Sequence, residues 1–79
     1  MTKGVDFFMN LCYLGENLCN IRVKLNYSQS YVSDMLHIDR SLLSKYESGI
    51  ITPNLPVLIQ LANFYNVSID YLLSNHNRN

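Results

Sequence analysis

Residues 28–49 read SQSYVSDMLHIDRSLLSKYESG, and the way this stretch divides decides the fold. Ser28 is a favoured N-cap, because its hydroxyl can accept from an otherwise unpaired N–H of a first helical turn. QSYVSDML behind it reads as a helix with Val32, Met35 and Leu36 facing one way. "HID" then leaves only a tight connection before a second cap-competent residue, Asp39. In the run that follows, Leu43, Tyr46 and Glu47 form an inward side, and Gly49 supplies the residue type that ends helices in a left-handed conformation. Two short helices joined by so few residues must cross steeply, which is the geometry of a helix-turn-helix.

On the N-terminal side, Leu14, Leu18, Ile21 and Leu25 recur at 4-3-4 spacing, one face of a helix that Asn26-Tyr27 interrupts. Ahead of it, residues 5–13 are apolar enough to predict an extra N-terminal helix. On the C-terminal side, "IITPN" is a loop. Thr52-Pro53 favours extended backbone, Asn54 caps a fourth helix, and Pro56 falls in the first turn, where its missing N–H has no partner to lose. Leu58, Leu61, Ala62 and Tyr65 give that helix its face. Asn66 turns the chain, Ser68 caps a fifth helix, and Ile69, Leu72 and Leu73 pack. No run with the period of a strand competes. The expected fold is all-α: a compact bundle of five short helices with an extra N-terminal helix. Residues 1–13 form an apolar segment, 14–73 the folded domain, and 74–79 a frayed polar tail.

Seventy-nine residues suit one domain, and 48% apolar against 15% charged residues is a globular rather than a disordered composition. Cys12 and Cys19 lie seven apart, about 10 Å along one helix, too far to bridge; they read as reduced, half-buried thiols of a cytoplasmic protein. The apolar patch at the N-terminus is interrupted by Asp6 and Asn10 and falls short of the ~20 residues a membrane span needs, so neither signal peptide nor membrane helix is expected. There is no His or Cys cluster with metal spacing, no Gly-rich phosphate loop and no nucleophile–base pair; no cofactor, no metal and no enzymatic activity are expected.

The outward face of the third helix is what calls for a function. Ser41, Ser44 and Lys45 point away from the Leu43/Tyr46/Glu47 side, and Arg40 flanks the first turn with reach to swing outward. Arg and Lys can donate to guanine O6 and N7, Ser is short and permissive, and a helix N-terminus favours anions. The formal charge is zero, which argues against a nucleic-acid partner. Between residues 21 and 46, however, Arg22, Lys24, Arg40 and Lys45 outnumber Asp34 and Asp39.

Ser28-Gln29, "SKYESG", "TPN", "LIQLANFYNVS" and "IDYLL" occur in an order and spacing that resembles the DNA-binding domain of the lambdoid phage repressor/Cro class, the XRE-type helix-turn-helix family, over residues 14–73. The resemblance implies a sequence-specific regulator of transcription, a small homodimeric repressor that reads double-stranded DNA in the major groove and blocks polymerase. It places base reading on Arg40, Ser41 and Lys45, and backbone contact on Gln29, Ser44 and Ser48. It also makes Arg22 and Glu47 a structural ion pair and puts Tyr71 and Leu72 in the dimer region. His37 stands where the family usually has Gly, so it must tolerate an awkward backbone, and Ser33 and Leu42 also depart from the usual small residues. The asparagine- and isoleucine-rich composition suggests an AT-rich bacterial or phage genome. The rival expectation is a protein-interaction module on the same fold, an antitoxin-like or polymerase-binding adaptor with a regulatory protein partner.

Overall fold

The structure is a computed structural model that describes the backbone of residues 3–76 and the side chains of residues 13–76. Five helices follow one another: α1 Lys3–Lys24, α2 Gln29–Leu36, α3 Arg40–Ser48, α4 Leu55–Tyr65 and α5 Ile69–Leu73. There is no strand among the described residues. α1 packs against α3 and α5, α2 against α3, and α4 against α5.

The extra N-terminal helix and the first helix of the bundle are one continuous helix, not two. Nothing between residues 10 and 17 can stop it. There is no proline, and the one glycine, Gly15, is helical and buried against α3. An interior glycine costs about 1 kcal/mol relative to alanine, too little to break a helix whose tertiary contacts favour it. The side chains of Val5, Phe7, Phe8, Met9, Leu11 and Cys12 lie outside the described residues.

Local chemistry sets the connections. Ser28, Asn54 and Ser68 accept from the backbone N–H groups of Tyr31, Val57 and Tyr71 respectively, so α2, α4 and α5 begin at side-chain caps. Four helices end on a left-handed residue: Asn26, His37, Gly49 and Asn66, at φ 63°, 58°, 81° and 58°. In each case the N–H of the next residue closes a wider loop, onto the carbonyls of Arg22, Ser33, Lys45 and Ala62. Three of the links repeat one three-residue plan: a left-handed residue, a half-buried apolar residue and an N-cap. They are Asn26-Tyr27-Ser28, His37-Ile38-Asp39 and Asn66-Val67-Ser68. The plan makes each helix end specify where the next begins. At His37 the left-handed conformation is paid for by a Cβ. His37→Gly is expected to raise stability by about 0.5–1 kcal/mol, net of glycine's larger unfolded-state entropy. Chemical denaturation with an unchanged slope would register it.

The core is built from Leu14, Leu18, Val32, Leu36, Leu43, Tyr46, Leu58, Leu61, Ala62, Tyr65 and Leu72. The expected inward faces of α3 and α4 are the observed ones. Two expected core positions are not. Met35 is 51% exposed, because α2 turns Val32, Ser33 and Leu36 inward and Met35 falls to the side of that face. Leu25 is 44% exposed: its N–H still bonds to the Ile21 carbonyl, but it follows the last residue of α1, and the chain turns left-handed at the next residue, Asn26. Two amides bind the bundle across long sequence distances. Asn17, buried in α1, donates through Nδ2 to the carbonyls of Leu72 (2.7 Å) and Ser74 (2.6 Å), and Gln60 donates to the carbonyl of Leu36 (3.0 Å). The polar tail is tied down as far as His76, whose Nε2 lies 2.7 Å from the Tyr71 carbonyl and whose ring stacks on Tyr71 at 4.0 Å. Residues 77–79 lie outside the described residues.

Candidate nucleic-acid interface

α3 is amphipathic in the strict sense. Leu43, Tyr46 and Glu47 are buried, Leu42 and Ser44 are half-buried, and Arg40, Ser41, Lys45 and Ser48 are exposed. Three residues separate α2 from α3, and the half-buried Ile38 packs against the core between them. The link is therefore short and fixed, and α3 stands at the surface with one face outward.

Behind α3 lies a buried ion pair. Arg22 meets Glu47 through two parallel contacts, Nε to Oε2 at 2.6 Å and Nη2 to Oε1 at 3.0 Å, the fork geometry in which guanidinium and carboxylate pair best. The Arg22 side chain is 13% exposed and that of Glu47 4%. Arg22 also donates to the Tyr27 carbonyl (2.8 Å), fastening the α1–α2 turn to the same pair. Hydrogen bonding to Glu47 raises the Arg22 pKa further above its already high value. Burial, then the charge of Glu47, pushes the Cys19 thiol and the Tyr65 phenol up, so both stay neutral beside the pair. Cys19 is a free, half-buried thiol.

The pair reaches the surface through Gln29. Its Nε2 donates to Glu47 Oε1 at 3.0 Å, and its Oε1 accepts from Arg40 Nη1 at 3.4 Å. The structure thus brings Gln29 and Arg40 together and fixes which end of the amide faces outward. Ser41 Oγ donates to Asp39 Oδ2 at 2.7 Å, and Ser48 Oγ donates back to the Lys45 carbonyl at 3.3 Å. Asp39 occupies the N-cap position as expected, but its carboxylate accepts nothing from its own helix's backbone. Of the two residues expected at a dimer contact, Leu72 is fully buried in the core and is not available there, because α5's single buried position falls on it. Tyr71 is exposed beside it.

The residues missed by reading the sequence are Gly15, Asn17 and Gln60. Gly15 carried the one usable signal: a glycine kept inside an apolar helical pattern usually has a packing reason. Among the described residues no group of His, Cys, Asp and Glu could hold a metal ion, and no helix is long and apolar enough to cross a membrane.

A capped helix, a short turn and a second helix with a polar, cationic outward face define a helix-turn-helix domain. The helix-turn-helix family model matches residues 20–72, which places the chain in the XRE-type helix-turn-helix family. The chain is 42% identical over 60 residues to the HTH-type transcriptional regulator ImmR of Bacillus subtilis, an alignment covering 76% of this chain and 47% of ImmR. It is also 42% identical over 59 residues to the SPbeta prophage-derived uncharacterized HTH-type transcriptional regulator YonR of the same organism, covering 75% of this chain and 55% of YonR. A third relative, the HTH-type transcriptional activator BcrR of Enterococcus faecalis, is 37% identical over 59 residues, covering 75% of this chain and 29% of BcrR. The chain spans about half the length of the first two relatives.

Proposed function

We propose that this domain binds double-stranded DNA sequence-specifically and regulates transcription from the cytoplasm, without enzymatic activity, as a homodimeric repressor that lays α3 in the major groove. The observation that carries the reading is the division of α3: one face locked into the core by Leu43, Tyr46 and Glu47, the other presenting Arg40, Ser41 and Lys45. In a homodimer two such helices enter successive major grooves about 34 Å apart. Arg40, Ser41 and Lys45 then meet base edges, while Ser44, Ser48 and Gln29 lie toward the sugar-phosphate. Tyr71 and the apolar start of α1 are the proposed two-fold contact, and the proposed regulatory protein partner would act on that dimer.

Lys45→Ala is expected to weaken the matched duplex by about 1–3 kcal/mol and to relax preference at one base pair. Ser48→Ala is expected to weaken matched and mismatched duplexes alike. Titration of both variants against matched and single-mismatch duplexes separates the two roles. With few cations per subunit, affinity should fall with salt less steeply than for a strongly basic repressor, because fewer counterions are released. The second reading, a protein-interaction module, is favoured by zero net charge and by exposed Ile50 and Leu55. It takes over if the chain ignores duplex DNA at low salt and retains a protein instead.

A further inference from the structure

The start of α3 carries an acceptor pair of which the proposed base-reading set includes only one member, Ser41. Asp39 is exposed, and among the four helices that open on a polar N-cap it alone leaves its side chain unused for capping. Its Oδ2 instead accepts the Ser41 hydroxyl at 2.7 Å, the short distance of a charge-assisted O–H···O⁻ bond. The hydroxyl proton is thereby committed. What Ser41 has left to offer a partner is lone pairs, and an ionised carboxylate offers nothing else. Two adjacent exposed side chains thus present acceptors only, between the donors Arg40 on the same turn and Lys45 one turn on.

Base edges in the major groove differ in how they meet such a pair. Guanine shows two acceptors and thymine an acceptor and a methyl group. Adenine has a donor at N6, but its N7 acceptor lies alongside and would face the second oxygen. Cytosine alone shows an amino group whose neighbour on the same base is a C–H rather than an acceptor. Resting on the reading of α3 as a major-groove helix, we propose that Asp39 and Ser41 act together as a specificity determinant for one cytosine, the carboxylate accepting from N4–H and Ser41 holding it in place. Near phosphates a carboxylate is repelled, so Asp39 lowers affinity for every duplex and recovers the loss only where the amino group is present. It selects by rejection.

The test is selection of duplexes from a random pool by the full chain, as wild type, as Asp39→Asn and as Ser41→Ala. Asparagine caps helices as well as aspartate does, so the fold is retained. The wild type is expected to enrich a site in which replacing one C·G pair lowers affinity about fivefold or more. Asp39→Asn should flatten the preference at that pair alone and bind the mismatched duplexes more tightly than wild type does. Ser41→Ala should weaken the preference at the same pair. A wild-type site with no such cytosine, or an Asp39→Asn variant that keeps the wild-type preference at every pair, overturns this proposal and leaves the DNA-binding reading intact. A wild type that enriches no duplex overturns both.

Discussion

Glu47→Ala is expected to destabilise the domain by roughly 3–5 kcal/mol, while Asp34→Ala should stay within about 0.5 kcal/mol. The two residues are both helical acids, and what separates them is burial. Asp34 is exposed on α2, whereas the Glu47 side chain is 4% exposed and accepts from Arg22 Nε, Arg22 Nη2 and Gln29 Nε2. Removing the carboxylate leaves the Arg22 guanidinium nearly as buried as before, with the Tyr27 carbonyl as its remaining strong acceptor. Arginine cannot shed its charge to escape, so the penalty is the desolvation of an unpaired cation. For a domain of this size each kcal/mol moves the melting temperature by about 4–8 °C, so the shift should be well above 10 °C. A diagnostic companion is the double variant Arg22→Met, Glu47→Leu. Replacing both charges by apolar groups removes the orphan, so the pair should be markedly more stable than Glu47→Ala alone. Equal melting temperatures for Glu47→Ala and Asp34→Ala would mean that the pair contributes nothing.

The same pair marks how far the sequence could be read. Helix ends were legible because their chemistry is local: Ser28, Asn54 and Ser68 cap through their own side chains, and Gly49 and Asn66 stop helices through their own backbone. The inward faces of α3 and α4 followed from period alone. Arg22 with Glu47 is a contact across 25 positions, and only the resemblance to a family suggested it. Where neither local chemistry nor resemblance spoke, the structure was opaque. Nothing local to Asn17 says that its amide will seal the end of α5, 55 positions away. Met35 was assigned inward because period cannot tell the edge of a buried face from its centre, and Leu25 because period does not say where a helix stops. At the interface, the sequence distinguished the outward residues of α3 but not what their hydrogens were doing. That Ser41 is tied to Asp39, and Gln29 to both Glu47 and Arg40, depends on rotamers that only the packed structure sets.

Gly15→Ala should destabilise the domain by about 2 kcal/mol or more, against the sign that helix propensity gives. In a free helix the substitution would stabilise by roughly 1 kcal/mol, since alanine loses less backbone entropy than glycine. Here α1 crosses α3 with nothing between them. A Cβ at position 15 would lie 2.6 Å from the carbonyl oxygen of Tyr46, 2.8 Å from that of Glu47 and 3.2 Å from the Glu47 carbonyl carbon. These are backbone atoms and cannot rotate away, so the last turn of α3 must shift as a unit. The same Tyr46 carbonyl also accepts the N–H of Gly49 at the helix stop, so this oxygen cannot tilt away from a new Cβ without disturbing the bond that closes the helix. Overpacking typically costs about 1–3 kcal/mol and occasionally more; three contacts this close to backbone atoms put the cost at the upper end, which leaves about 2 kcal/mol after the roughly 1 kcal/mol propensity gain. Moving the Glu47 backbone also moves its carboxylate relative to Arg22, so the two perturbations share one element. Gly15→Ala combined with Glu47→Ala should therefore cost less than the sum of the single effects, by at least about 0.5 kcal/mol. Urea denaturation of the wild type, both single variants and the double variant measures that coupling directly. A Gly15→Ala variant more stable than wild type would show that α1 and α3 are not in contact at this point, and additive effects would separate the helix crossing from the ion pair behind α3.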